Sequence, residues 1–160
     1  MLPEDVTLTI VDEGPPGRLT AWGMIRELGL ERRVVFTGKV DLPTLVSLYS
    51  TCTVAVMASL HEGFGLPAAE AMACETPVVA TTAGALPEVV GDDGAGILVP
   101  PRNPAAIRDA VEKLLADPGL RSSMGKKGRR RAEENFAWPV AARNTLAVYR
   151  DVIESYRSRS

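Results

Sequence analysis

Two glutamates, Glu62 and Glu70, enclose a run rich in small residues: Glu62-Gly63-Phe64-Gly65-Leu66-Pro67-Ala68-Ala69-Glu70. It follows an apolar stretch from Val54 to Met57. Gly63 and Gly65 permit backbone geometry and close approach that a side chain forbids. Pro67, with a fixed φ and no N–H, suits a first helical position. A Gly-rich loop entering a helix presents N–H groups and the positive end of the helix dipole. Such an end suits an anion, and a diphosphate fits it. Glu62 then lies on the loop and Glu70 about one turn into the helix, so both can face one crevice. Carboxylates accept hydrogen bonds from hydroxyls, so the pair suits a ligand carrying ribose and hexose. A glycine turn with two solvated glutamates fits the loop alone equally well, because Glu near a helix N-terminus is favourable without a ligand. The G-x-G-x-x-G and G-x-x-x-x-G-K-[ST] nucleotide fingerprints are both absent.

The elements that must hold this run alternate. Five β-branched runs, at 6–11, 34–37, 54–57, 78–81 and 97–99, are nearly all apolar and read as strands covered on both faces. Helical patterns fall between most of them, at 18–28, 42–50, 66–74 and 86–90. The alternation predicts an α/β fold, a Rossmann-like parallel sheet with helices on both faces. After Val99 the pattern is helical only: 104–116 with Pro104 in its first turn, 118–135 rich in charge, and 139–156. We expect a single domain over 1–160, with a βα core at 1–100 and C-terminal helices at 101–160. In an open parallel sheet, ligands bind beyond the carboxyl ends of the strands. Those ends carry Asp12-Glu13-Gly14-Pro15, Gly38-Lys39, the segment from Ser59 to Gly65, and Thr81-Thr82-Ala83-Gly84.

Composition excludes several classes. A formal net charge of -2 gives no bulk attraction to nucleic acid or anionic membrane. No stretch is long and apolar enough to span a bilayer. Glu4, Asp5, Asp12 and Glu13 interrupt any leader-like apolar run. Cys52 and Cys74 lack metal-ligand spacing and read as reduced thiols, which makes the cytoplasm the expected location.

Many separated pieces together resemble glycosyltransferase family 4, glycosyl transferases group 1. They are Ser59 through Pro67, Glu70-Ala71-Met72-Ala73-Cys74, Thr76-Pro77-Val78-Val79-Ala80 and Leu86-Pro87-Glu88-Val89-Val90. Asp12 to Pro15, Val35-Phe36-Thr37-Gly38, Gly96-Ile97-Leu98-Val99 and Phe136-Ala137-Trp138 before Tyr149 agree in order. The resemblance implies the C-terminal, donor-binding half of a two-domain GT-B enzyme. It implies metal-independent hexosyl transfer with retention, from a uridine or guanosine diphosphate sugar, without a cofactor. Glu62 would be the catalytic-site carboxylate, on the donor hexose hydroxyls. Glu70 would bind the ribose. Amides around Gly63, Phe64, Gly65 and Leu66 would face the sugar and distal phosphate. Gly38, Lys39 and Val40 would lie near the base, and Gly14 would belong to the same donor site.

The family's domain begins one strand earlier, with a Gly-Arg and a following Lys that bind the diphosphate. Those features are not found in this sequence, nor is the acceptor-binding N-terminal domain. The expectation is therefore weak donor binding and no transfer by this chain alone. A non-catalytic sugar-nucleotide binder acting with a separate N-terminal chain is the alternative, and another GT-B enzyme such as an epimerase is a third. Full-length relatives would be cytoplasmic or peripheral at a membrane. Glu75 stands where the family has Gly; in a left-handed conformation it would cost about 1 kcal/mol. His61 reads as an exposed loop residue, and Lys126 to Arg131 as a solvated helix face. Trp138 and Tyr149 read as packing residues. The apolar face around Tyr149, Val152 and Ile153 is a candidate for self-association.

Overall fold

The computed structural model describes residues 2–11 and 20–158. The chain forms two compact units, Met1–Leu48 and Tyr49–Ser160.

The first unit contains β1 (Leu8–Ile10), α1 (Thr20–Glu27) and β2 (Val34–Phe36). β1 and β2 pair in parallel, with Leu8 opposite Val34 and Ile10 opposite Phe36. The Arg33 guanidinium donates to the Val6 carbonyl at 2.9 and 3.0 Å, which ties the entry of β1 to that of β2. Trp22 of α1 meets the edge of the Phe36 ring at 5.4 Å, and Ile25 is buried. Sequence patterning predicted both faces of these strands covered, but Leu8 is 50% and Val35 53% exposed. Leu8 stands opposite Val34, and Val35 opposite Thr9, so the two exposed side chains lie on opposite faces and neither face of this short ladder is fully covered among the described residues.

α2 (Leu42–Thr51) spans the division between the units. Asp41 accepts a hydrogen bond from the Thr44 amide at 3.0 Å, an N-cap. The Thr44 hydroxyl first, and its amide next, hold the Asp41 carboxyl below its ordinary value.

The second unit follows the order β3 (Ala55–Met57), α3 (Leu66–Ala73), β4 (Val78–Thr81), α4 (Leu86–Val90) and β5 (Gly96–Val99). Helices α5 (Pro104–Ala116), α6 (Pro118–Asn135) and α7 (Trp138–Arg157) complete it. Its three strands are parallel in the order β3-β4-β5. β4 lies in the middle and all four of its residues are buried, as a covered parallel strand requires. Met72, Val78, Leu86, Val89 and Val90 form the centre of the core, joined by Ala68 and Ala71. α3 closes on α6 through small residues: a Cβ added at Gly125 would stand 2.1 Å from the Glu75 carbonyl oxygen.

Helix starts follow local chemistry. Asn103 and Asp117 each accept an amide of the first turn, at 3.0 and 2.9 Å, and each precedes a proline. Glu75 adopts φ 60 at the end of α3, the left-handed conformation that the family's glycine suggested. α7 corrects one expectation. Trp138 is 89% exposed, Tyr149 is exposed, and no residue of α7 is buried. The apolar side of α7 is an exposed surface, so these two rings do not pack into the core.

Candidate functional site

The segment from Ser59 to Gly65 leaves β3 and enters α3. Gly65 is the N-cap of α3 at φ 90, a conformation that excludes most side chains, and Pro67 occupies the first turn. A Cβ at Gly65 would also approach Leu86 to 3.0 Å. Gly63 differs from expectation: a Cβ there meets nothing within 4 Å, and its φ is not positive. The turn therefore needs glycine at Gly65, and no close contact demands it at Gly63.

Glu62 is half-buried and held at three points. Its Oε1 accepts from the Gly65 amide at 3.2 Å, and its Oε2 accepts from the Ser59 hydroxyl at 3.2 Å. Its carbonyl accepts from the Ala85 amide at 3.2 Å. The carbonyl also packs on Gly84, whose φ is 54. Thr81, at the end of β4, donates its hydroxyl to the Ser59 carbonyl at 2.6 Å. The loop after β3 is thus fastened to the end of β4 and to the turn before α4.

Glu62 consequently occupies part of the N-terminal end of α3 itself. The Gly65 amide, expected to face a phosphate, donates to this carboxylate in the structure. The amides of Ala68 and Ala69 turn back to the Gly65 carbonyl. A carboxylate on a helix N-terminus is favourable by the helix dipole, the same field that would favour a bound anion.

Phe64 and Leu66 are both exposed. The Phe64 ring meets Phe136 edge-on at 5.9 Å, just past the end of α6. Glu70 is exposed on α3. Its charge acts on Tyr49, a half-buried residue that the sequence reasoning missed. Burial first, and then Glu70, push the Tyr49 phenol up to about 12. The Tyr49 carbonyl is also a hub, accepting the Thr76 hydroxyl at 2.6 Å and the Cys52 thiol at 3.4 Å. Burial raises the Cys52 thiol above its usual range.

Gly38, Lys39 and Val40 lie in the first unit, after β2. Gly38 has φ 68, and the Thr37 hydroxyl donates to its carbonyl at 3.0 Å. Lys39 is exposed and Val40 half-buried. Gly14, with Asp12, Glu13 and Pro15, falls outside the described residues. His61 is exposed.

The basic run on α6 is engaged with its own unit. Lys127 donates to the Asp93 carbonyl at 3.1 Å. Arg129 and Arg130 pair with Glu133 and Glu134, each at 2.8 Å. Arg131 donates to the carbonyls of Val89 at 2.8 Å and Glu88 at 2.7 Å, closing the end of α4. No cluster among the described residues has three or more metal-ligating side chains. No described helix is long and apolar enough to cross a membrane.

Ser59, Thr81, Gly84 and Ala85 are the supporting residues that sequence reasoning did not assign a role. The visible signal of Ser59, Thr81 and Gly84 was position: they lie at or just past strand ends, where parallel sheets place ligands.

Residues 2–131 match the family described as glycosyl transferases group 1. An MMP alpha-(1->4)-mannosyltransferase of Mycolicibacterium hassiacum is 42% identical over 150 residues, covering 93% of this chain and 36% of that protein. Among solved structures, sucrose-phosphate synthase of Thermosynechococcus elongatus has a TM-score of 0.84 at 36% identity, over 93% of this chain and 39% of its own. Anabaena HepE in complex with UDP-glucose has a TM-score of 0.77 at 25% identity, over 98% of this chain and 42% of its own. The chain spans about a third of the length of the curated relatives it matches.

Proposed function

We propose that this chain, which belongs to the glycosyl transferases group 1 family, binds the donor for a retaining transferase that moves a hexosyl group from a nucleoside diphosphate sugar. The observation that carries the reading is the Glu62 carboxylate, fixed on both oxygens at the N-terminus of α3. A carboxylate held there offers lone pairs to sugar hydroxyls, while the helix end beside it favours the diphosphate.

In this reading Glu62 accepts hydrogen bonds from the hexose hydroxyls and Glu70 from the ribose hydroxyls. The amides of Phe64, Gly65 and Leu66 serve the distal phosphate, so the Gly65 amide exchanges its Glu62 partner for a phosphate oxygen when the donor arrives. Gly63 gives the loop room to make that exchange. As the anomeric carbon–oxygen bond breaks, negative charge grows on the departing diphosphate. Fixed N–H donors and the α3 dipole stabilise that charge, and no metal is required. The sugar, an oxocarbenium-like centre at that moment, passes to an acceptor on the same face. The acceptor is read as lying on the N-terminal half of the GT-B arrangement.

Titration calorimetry tests the reading with UDP-glucose, GDP-mannose, UDP and GDP. One sugar nucleotide should bind, and Glu62→Ala should weaken it relative to the matching nucleoside diphosphate. Glu70→Gln should weaken both. Equal binding of sugar nucleotide and diphosphate by the wild-type chain would overturn the role given to Glu62.

A further inference from the structure

The support of Glu62 begins inside the sheet. Thr81 is the last residue of the middle strand β4 and is 1% exposed. Its hydroxyl donates to the Ser59 carbonyl at 2.6 Å. Ser59 in turn donates its hydroxyl to Glu62 Oε2 at 3.2 Å, and Glu62 Oε1 accepts from Gly65 at 3.2 Å. A single buried hydroxyl therefore fixes the peptide from which the Ser59 side chain projects. When the Gly65 amide passes to the phosphate, the Ser59 hydroxyl is the grip that remains on the carboxylate, and where it is held sets the aim of Glu62 toward the sugar.

We propose that Thr81 is a positioning residue that sets the aim of the Glu62 carboxylate through Ser59, and so sets the preference for a hexosyl nucleotide over the bare diphosphate. This rests on the reading of Glu62 as the hexose contact. Thr81 itself is buried and acts through its bond to the Ser59 carbonyl. Replacing it by valine keeps its shape but leaves the Ser59 carbonyl without its donor. That peptide then turns toward another partner and draws the Ser59 hydroxyl away from Glu62. Serine at the same position retains the hydroxyl.

The experiment has two readouts. Calorimetry measures the affinity ratios UDP-glucose to UDP and GDP-mannose to GDP. Amide hydrogen exchange follows the Gly65 N–H, which Glu62 covers without any ligand. Thr81→Val is expected to lose the sugar preference by about tenfold, the weight of one charge-assisted hydrogen bond, with diphosphate affinity within about twofold. Gly65 exchange should quicken while the Ala80 amide in β4 stays protected. Thr81→Ser should restore both values. If Glu62→Ala leaves the sugar preference intact, the hexose reading fails. If Glu62→Ala abolishes the preference and Thr81→Val does not, the positioning role is overturned. Should the wild-type chain bind neither sugar nucleotide, the donor reading fails. Unchanged Gly65 exchange in Thr81→Val would then overturn the positioning role by itself.

Discussion

A Cβ added at Gly84 would stand 2.0 Å from the carbonyl oxygen of Glu62. The residues lie on different loops, one leaving β3 and one leaving β4, and the contact sets how far the first can settle onto the second. Gly84 also has φ 54, so two requirements meet at one position. Gly84→Ala is expected to destabilise by about 3 kcal/mol, combining left-handed strain with displacement of a backbone carbonyl. The melting temperature should fall by roughly 6–12 °C. Donor affinity should fall too, because the Ala85 amide loses its hold on Glu62. Calorimetric melting and ligand titration of the same variant check both; a neutral Gly84→Ala would mean that the loops part without cost.

Glu75 carries the opposite opportunity. At φ 60 it occupies a conformation suited to glycine, and its contact with Arg129 is long, at 3.9 Å, and exposed. Glu75→Gly should remove the strain and stabilise by about 0.5–1 kcal/mol, after allowing for the greater freedom glycine gives the unfolded chain. Urea denaturation measures it through a higher midpoint at unchanged slope. Glu75→Ala, with the same strain, serves as the control and should bring no gain.

Local chemistry made most of the fold legible. α5 and α6 occupy the spans their residues suggest, because Asn103, Asp117 and the prolines that follow act within one turn. β1 is shorter than its apolar run, since a strand ends where its partner does. The loop from Glu62 to Gly65 was visible as chemistry, but its supports were not. Thr81 and Gly84 reach it across the sheet, and the groups they meet are backbone carbonyls, which carry no residue identity. The same reason hid the role of Arg131, which read as one charge among several. The exposure of Trp138 was hidden differently: apolar spacing marks a face but not whether anything covers it.

Arg131 separates structural from merely solvated charge on α6. Its guanidinium serves two carbonyls at the end of α4 and lies where any side chain at Gly91 would meet it, 2.6 Å from an added Cβ. Arg131→Ala should cost about 1–2 kcal/mol, since charge-assisted bonds to helix-end carbonyls are lost. Arg130→Ala, which removes only an exposed pair with Glu134, should leave stability unchanged within error. Urea midpoints of the two variants make the comparison, and equal midpoints would reduce Arg131 to another surface charge.

Tyr49 gives the chain a distinctive alkaline limit. Its phenol is pushed from 10.0 up to about 12, by burial first and by the charge of Glu70 next. The folded state thus favours the neutral phenol. Below pH 10 both folded and unfolded chains carry the proton, and this contribution to stability is fully present. Between pH 10 and 12 the unfolded chain has lost the proton while the folded chain keeps it, so stability falls as pH rises. Because Tyr49 is only half-buried, solvent screening reduces the loss to about 1 kcal/mol. Tyr49→Phe should remove that part of the decline, and should delete the tyrosinate absorbance step near pH 12. Glu70→Gln should shift the step to lower pH by removing one of its causes. An unmoved step in Glu70→Gln would mean that burial alone governs Tyr49, and that the carboxylate does not reach the phenol from α3.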